Sequence, residues 1–111
     1  MNNVILMGNL TKNPSSIITE EGHTICHFRM AINTKIKDKQ ETFFINVTCF
    51  GTLATNCQKY LIKGARVVVE GRLKTDSYQA KDGTQKSELI IIANDVHFIS
   101  HKKGESDAIG Q

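Results

Sequence analysis

Residues 43–50 read Phe-Phe-Ile-Asn-Val-Thr-Cys-Phe, a run typical of a β-strand because aromatic and β-branched residues dominate it. Successive side chains of a strand point to opposite sides of its sheet. One side of this strand is wholly apolar, and we predict that it faces the core; its members are Phe43, Ile45, Val47 and Cys49. The other side combines two aromatic rings with two polar groups; its members are Phe44, Asn46, Thr48 and Phe50.

The two rings on the outward side need a cover, because a water-facing strand side is normally polar and exposed rings are costly to hydrate. Another subunit, the chain's own helix or loop, or a nucleobase could provide it. Bases stack on aromatic rings for about 1–3 kcal/mol each. Positive charge favours the nucleobase, since cations interleaved with rings are typical of a surface that binds single strands. The nearby cations are Lys35, Lys37, Lys39, Arg72 and Lys74.

The rest of the chain predicts an all-β domain with about five long strands. Strands are expected at residues 3–10, 23–33, 42–50, 65–75 and 87–99, with a short further stretch at residues 15–20. One helix is expected at residues 52–63, with Tyr60 packed against the sheet and Gly64 as its C-terminal cap. A small chain dominated by strands must close or stack its sheet to hide the edges. We expect a closed barrel, because a sandwich usually needs more strands.

Glycines and polar runs predict where the strands bend or end. Gly8, within the first strand, suggests a bulge or a bend. The polar residues 34–41 are typical of a loop or a protruding hairpin. The pair Asp82-Gly83 predicts a hairpin turn between the last two strands.

Composition and charge describe an ordinary folded domain. The chain has 111 residues, 40% of them hydrophobic and 23% charged, which fits one globular domain and excludes a disordered segment. Its longest apolar runs are far shorter than the roughly 20 residues that span a bilayer, and no secretory signal is recognised. Three cysteines without disulfide spacing suit a reducing compartment. The formal net charge of +3 suits a polyanionic partner.

Sequence motifs for catalysis and metal binding are absent. The chain has no G-x-x-x-x-G-K-[ST], no G-x-S-x-G and no H-E-x-x-H. His23 and His27 are four residues apart, which on a strand separates them by about 13 Å, too far for one ion. Cys26, Cys49 and Cys57 lack C-x-x-C spacing and are expected to be core residues. We therefore expect a binding protein with no catalytic residue, no metal and no cofactor.

Four segments of the chain, in this order and spacing, resemble the bacterial-type single-stranded DNA-binding protein family. They are residues 3–10 (Asn-Val-Ile-Leu-Met-Gly-Asn-Leu), 50–54 (Phe-Gly-Thr-Leu-Ala), 60–64 (Tyr-Leu-Ile-Lys-Gly) and 69–73 (Val-Glu-Gly-Arg-Leu). The resemblance covers roughly residues 2–100. It implies an OB-fold, a five-stranded Greek-key barrel with one helix between strands 3 and 4. That domain is expected at residues 1–102, followed by a short flexible tail at residues 103–111.

The resemblance also implies which residues contact DNA. Of the family's four main stacking positions, three fall on Phe44, Phe50 and Tyr78, while the fourth falls on Ile36, where the usual ring is missing. Trp is absent from the chain, so weaker binding per base is expected than in members that carry it. The residues expected to neutralise phosphate are Lys35, Lys37, Lys39, Arg72, Lys74 and Lys81. Additional possible DNA contacts are Ile36, Arg29 and Lys86.

The partners implied by the resemblance are single-stranded DNA and further copies of the chain. Family members usually form homotetramers, with a homodimer as the alternative, and they bind DNA in replication, recombination and repair without catalysis. The expected location is the cytoplasm, in association with the nucleoid. The family's long tail with an acidic, hydrophobic tip recruits replication and repair proteins, but residues 104–111 are only faintly acidic. Either the chain is truncated or it is a short-tailed member with reduced recruitment.

Overall fold

The computed structural model describes the backbone of residues 1–102 and the side chains of residues 1–100, so the tail predicted at residues 103–111 lies outside the described residues. In chain order the elements are β1 (Val4–Leu10), β2 (Ser15–Ile18), β3 (Thr24–Ile36), β4 (Lys39–Phe50), α1 (Gly51–Tyr60), β5 (Leu61–Gln79) and β6 (Gln85–Lys102). The single sheet has the order β1-β5-β6-β4-β3-β2.

The sheet closes into a barrel because β1 pairs with β3 as well as with β5. The closing contact is short and antiparallel, with Asn9 opposite Ala31 and Leu10 opposite Met30. Five strands complete the barrel, and the short β2 lies along the beginning of β3. The predicted five-stranded barrel with one helix between its third and fourth long strands is confirmed.

The core lies inside the barrel, on the inward sides of the strands. Its fully buried members include Met30, Val47, Val69 and Ile91, and α1 adds Ala54 and Cys57. Burying one large apolar side chain stabilises the fold by about 1.5–3 kcal/mol. The three cysteines are free and buried, which confirms their predicted place in the core. Burial raises the pKa of Cys26 to about 11, so this thiol stays protonated at neutral pH.

Two hairpins extend beyond the barrel. The β3–β4 ladder continues to Ile36 opposite Lys39, and the β5–β6 ladder continues to Gln79 opposite Gln85. The polar residues 34–41 therefore form the end of a hairpin, which was one of their two predicted structures. The Asp82-Gly83 pair lies in the turn of the other hairpin, as predicted, and Gly83 has a φ of 89°.

Phe43 corrects one prediction from the alternation along β4. It has the phase of the core side, but its side chain is 45% exposed. The core side of this strand becomes buried only at Ile45, because the preceding residues belong to the hairpin that projects beyond the barrel. Strand alternation gives the direction of a side chain, whereas the end of the barrel depends on the other strands.

The helix ends three residues earlier than predicted. It stops at Tyr60, and Leu61 is extended and fully buried, with its backbone N–H donating to the carbonyl oxygen of Cys57. Gly64 is not the cap; it lies within β5 with a φ of 90°. Tyr60 packs against Phe98 of β6, with 6.4 Å between ring centroids, although its side chain remains 36% exposed. Within the described residues, no helix has the length and apolarity needed to cross a bilayer.

Gly8 allows β1 to approach β3 closely. It pairs in register with Val67, so the predicted bulge or bend is not a register shift at this residue. A Cβ atom at this position would lie 2.5 Å from the carbonyl oxygen of Ala31, which belongs to the closing strand. The absence of a side chain is therefore a packing requirement of barrel closure.

A charged cluster lies on the outer side of β5 and β6. The Nε2 atom of His97 is 2.5 Å from Glu70 Oε2 and 3.6 Å from Asp95 Oδ2. Among the described residues, these three are the group whose ligand atoms converge closely enough to hold a metal ion. When protonated, His97 forms an exposed ion pair with both carboxylates. The hydrogen bond to Glu70 raises the pKa of His97 above its ordinary value.

We predict that Gly8→Ala destabilises the barrel. The added methyl group must displace the backbone of β3, and overpacking of this kind costs about 1–3 kcal/mol. Urea unfolding followed by circular dichroism measures the change in the free energy of unfolding. Ser77→Ala, in the exposed hairpin, is the control and should leave it within about 0.5 kcal/mol of the wild type. Equal unfolding midpoints for Gly8→Ala and the wild type would contradict the close approach.

We also predict that His97 stabilises the protein in acid. A group whose pKa rises on folding adds stability below its unfolded pKa, near 6.5 for histidine, and loses it as the pH rises through the folded value. His97→Ala should therefore lower the melting temperature more at about pH 5.5 than at about pH 9. His23→Ala is the matched control, because no ion pair joins His23 to a described carboxylate. A larger effect of His97→Ala in alkali would contradict the prediction.

Candidate nucleic-acid interface

The outward side of β4 presents two aromatic rings to solvent. Phe44 and Phe50 are each 50% exposed, as the alternation along the strand predicts. They are six positions apart, which corresponds to about 20 Å along an extended strand. The polar side chains between them are more buried than the rings: Asn46 is half-buried and Thr48 is only 8% exposed. The strand therefore carries two separate aromatic platforms with a polar interval between them.

Cross-strand pairing extends this face over four strands. Asn46 lies opposite Arg29 of β3 and beside Ile90 of β6, which in turn lies opposite Lys74 of β5. Paired residues place their side chains on the same side of a sheet. In the next row, Thr48 of β4 lies opposite His27 of β3 and beside Ile92 of β6. Ile92 in turn lies opposite Arg72 of β5. The barrel thus brings Arg72 and Lys74 to the face that carries the rings, as the sequence predicts.

Hydrogen bonds and a cation–π contact organise the polar interval. The guanidinium carbon of Arg29 lies 5.1 Å from the centroid of the Phe44 ring, and its Nη1 atom is 3.5 Å from Asn46 Oδ1. Asn46 Nδ2 donates to the Glu88 carboxylate at 3.3 Å. His27 Nδ1 and Thr48 Oγ1 are 3.1 Å apart. Each polar side chain is therefore held by a neighbour on an adjacent strand.

The β3–β4 hairpin carries four of the predicted contact residues at its end. These are Lys35, Ile36, Lys37 and Lys39, all exposed. Ile36 is 53% exposed, so its apolar side chain faces solvent. Lys37 has a φ of 57°, the left-handed conformation that lets the chain reverse between Ile36 and Lys39.

The β5–β6 hairpin carries the third predicted platform. Tyr78 is 46% exposed and lies opposite Lys86, and Lys81 follows in the turn. The hydroxyl and backbone N–H of Thr84 donate to Asp82 and lower the pKa of its carboxyl. The turn therefore carries a negatively charged carboxylate at neutral pH. A backbone hydrogen bond of 2.8 Å from Ala80 to Thr84 closes the turn.

The predicted cations have no acidic partner within the described side chains. No ion pair joins a carboxylate to any of Arg29, Lys35, Lys37, Lys39, Arg72, Lys74, Lys81 or Lys86. Binding of a phosphate by these groups therefore requires no existing salt bridge to break. They differ in this respect from His97, whose partners are present in the fold.

A groove beside the rings contains residues that sequence reasoning did not identify. It has a volume of about 190 Å³ and is lined by Lys12, Asn13, Ser15, His27, Phe28, Arg29 and Asn46. We call it the polar groove. Lys12 and Asn13 belong to the β1–β2 connection, where neither strand alternation nor a turn motif indicates a contact. Their place beside β3 depends on tertiary hydrogen bonds. The one indication that the sequence could have given is the predicted OB-fold, in which this loop borders the binding face.

Comparison with known proteins places this chain in a family. Residues 1–99 match the model of the single-strand binding protein family. A single-stranded DNA-binding protein of Clostridium acetobutylicum is 37% identical over 107 residues, which cover 93% of this chain and 97% of that protein. One from Staphylococcus aureus is 33% identical over 110 residues, covering 96% of this chain and 70% of that protein.

A solved structure is similar to the whole barrel. It is an SSB from Plasmodium falciparum in complex with single-stranded DNA, with a TM-score of 0.82 and 27% sequence identity. The match covers 90% of this chain and 96% of that one. From the family match over residues 1–99 and the identity to relatives over most of its length, the chain belongs to the single-strand binding protein family.

Proposed function

We propose that the protein binds single-stranded DNA without sequence preference. Bases stack on Phe44, Phe50 and Tyr78. Phosphates are neutralised by Lys35, Lys37, Lys39, Arg72, Lys74 and Lys81. The observation that carries the proposal is the pair of half-exposed rings on β4, beside cations that have no carboxylate partner among the described side chains. Membership of the single-strand binding protein family supports it.

The absence of sequence preference follows from the chemistry of stacking. Every base has a π-face, so an aromatic platform accepts all four. Each stacked base contributes about 1–3 kcal/mol, and each neutralised phosphate releases counterions. Arg29 and Lys86 lie beside Phe44 and Tyr78 and add positive charge to the same path. Ile36 offers an exposed apolar side chain at the hairpin end, where it can contact a base without stacking.

Binding of this kind keeps unwound DNA extended and prevents it from re-annealing. Such a role serves DNA replication, recombination and repair, and requires neither catalysis nor a cofactor. The family match supports a binding protein rather than an enzyme, in agreement with the sequence prediction. A protein with this role works where single-stranded DNA forms, in the cytoplasm with the nucleoid, beside replication and repair proteins.

We propose further that the chain assembles as a homotetramer, with a homodimer as the alternative. The outer side of β1 exposes Ile5 and Met7, which are 58% and 55% exposed, and Ile99 of β6 adds a third apolar side chain. Between Val4 and Gly8 the second edge of β1 is unpaired among the described strands. Edge strands and apolar patches are normally covered, and a second copy of the chain can cover both. This surface is separate from the outward side of β4.

The role of Phe44 is tested by comparing Phe44→Ala with Phe43→Ala. The two rings are adjacent and similarly exposed, but they point to opposite sides of β4. We expect Phe44→Ala to weaken binding of a dT oligomer by about 1–3 kcal/mol, because the substitution removes the ring on which one base stacks. Phe43→Ala should leave the affinity unchanged. Fluorescence titration at several salt concentrations measures both, and wild-type affinity should fall steeply with salt.

Three results would contradict the proposed function. One is a wild-type protein that does not bind the oligomer. A second is a flat salt dependence, which would remove the role of the lysines. The third is a Phe44→Ala variant whose assembly is lost while its DNA affinity is unchanged, because that ring would then belong to a protein interface.

The assembly surface is tested by Met7→Glu. A carboxylate on the apolar outer side of β1 should be costly to bury between copies, so the variant should have a lower mass than the wild type. Light scattering coupled to size-exclusion chromatography measures the mass, with a tetramer expected for the wild type. Ile36→Glu is the control, since it places the same charge on an exposed apolar residue at the end of a hairpin. A monomeric wild type would contradict the proposed assembly.

A further inference from the structure

The polar groove lies between the two aromatic platforms of β4. The Arg29–Asn46 and His27–Thr48 pairs occupy the ladder between Phe44, opposite Ala31, and Phe50, opposite Ile25. Ser15 of β2 lies opposite His27 and continues the second of these rows. The groove thus borders the stretch of β4 that separates the two rings.

The wall of the groove formed by the β1–β2 connection is held in place before any ligand binds. The Thr11 backbone N–H donates to the carbonyl oxygen of Arg29 at 2.9 Å. Asn13 Oδ1 accepts the backbone N–H of Lys63 at 2.7 Å, which ties the loop to the start of β5. Pro14 is buried. These contacts hold the backbone on both sides of Lys12, so less backbone entropy is lost when a ligand binds there.

The lining of the groove is suited to an anion. Lys12 and Arg29 are cationic, and no ion pair joins either to a carboxylate among the described side chains. The other polar lining groups are two amides, a hydroxyl and an imidazole; Phe28 also lines the groove, and no carboxylate does. Glu88 accepts a hydrogen bond from Asn46 from the side of β6 and does not line the groove. Neither Phe44 nor Phe50 lines the groove, and Phe28 is only 5% exposed, so the groove offers charge and hydrogen bonds but no exposed ring for stacking.

The groove is too small to enclose a cofactor or a drug-sized ligand. Its volume of about 190 Å³ is below the roughly 300–1,000 Å³ of sites that enclose cofactors and drug-sized molecules. A segment of a longer chain that enters and leaves the groove fits this volume better. A phosphodiester has the charge and the hydrogen-bond acceptors that the lining groups require.

We propose that the polar groove binds a backbone phosphate of single-stranded DNA between the base on Phe44 and the base on Phe50. Lys12 and Arg29 neutralise the phosphate, and the Asn13 side chain lies beside it. The inference rests on the proposed function and adds to it the path of the strand between the rings. It also adds Lys12 and Asn13, from the β1–β2 connection, to the contact residues.

The test compares Lys12→Ala with Lys59→Ala. Both remove one lysine, but Lys59 lies on α1, outside the groove, with its ammonium 5.2 Å from the Tyr60 ring centroid. Each phosphate contact on a single strand contributes about 0.7 to the slope of log affinity against log salt concentration. Lys12→Ala should therefore reduce that slope by about 0.7 and weaken binding of a dT oligomer roughly eightfold at about 50 mM salt. Lys59→Ala should match the wild type.

Asn13→Asp is a second variant that keeps the loop in place. The carboxylate retains the oxygen that accepts the Lys63 N–H, but it adds a negative charge to the groove. Its DNA affinity should fall at least as far as that of Lys12→Ala, while its melting temperature stays close to that of the wild type. An unchanged affinity for Asn13→Asp would overturn the phosphate assignment.

The remaining outcomes separate this inference from the proposed function. If the wild type binds and Phe44→Ala weakens binding, but Lys12→Ala keeps the wild-type affinity and slope, the polar groove alone is refuted. A weaker Lys12→Ala with an unchanged salt slope would show that the contact is not with phosphate. An equal loss in Lys59→Ala would show a general charge effect, which also overturns the site. No binding by the wild type overturns both proposals.

Discussion

The alternation of side chains along β4 is the constraint on which the rest of the structure depends. The same strand places Val47 and Cys49 in the core and Phe44 and Phe50 on the surface. A shift of one residue in its register would bury the polar groups and expose the core. The pairing of β4 with β3 over twelve residues, and with β6 at its centre, fixes that register. Core stability and the position of the rings are therefore consequences of the same ladder.

The cations near the aromatic rings form no ion pair with a carboxylate among the described side chains. The two hairpins extend beyond the core, so their lysines lie in water, where an unpaired charge costs little. A salt bridge at these positions would add little stability, since exposed ion pairs contribute about 0–1 kcal/mol. It would also have to be broken before phosphate binds. Leaving these cations unpaired therefore costs the fold little and favours a polyanionic ligand.

Local patterns predicted what depends on neighbours in sequence. Alternation was sufficient to show that Phe44 and Phe50 face outward, because it depends only on strand geometry. It was wrong for Phe43, since the point at which the barrel ends depends on the lengths of the other strands. Helical spacing extended α1 to residue 63, but the backbone becomes extended at Leu61, where β5 begins. The long-range hydrogen bond between Asn13 and Lys63 has no local signal, so the polar groove was missed.

Arg29 above Phe44 has a consequence for the free protein. The guanidinium covers part of a ring that would otherwise be bare, and it does so without closing the site, because the ring remains half exposed. In the proposed function, an incoming base would either replace the guanidinium on the ring or stack upon its plane. In both cases the displaced water comes from a surface that was already partly shielded. Less bare aromatic surface is therefore available for nonspecific association between two unliganded molecules than the sequence alone would suggest.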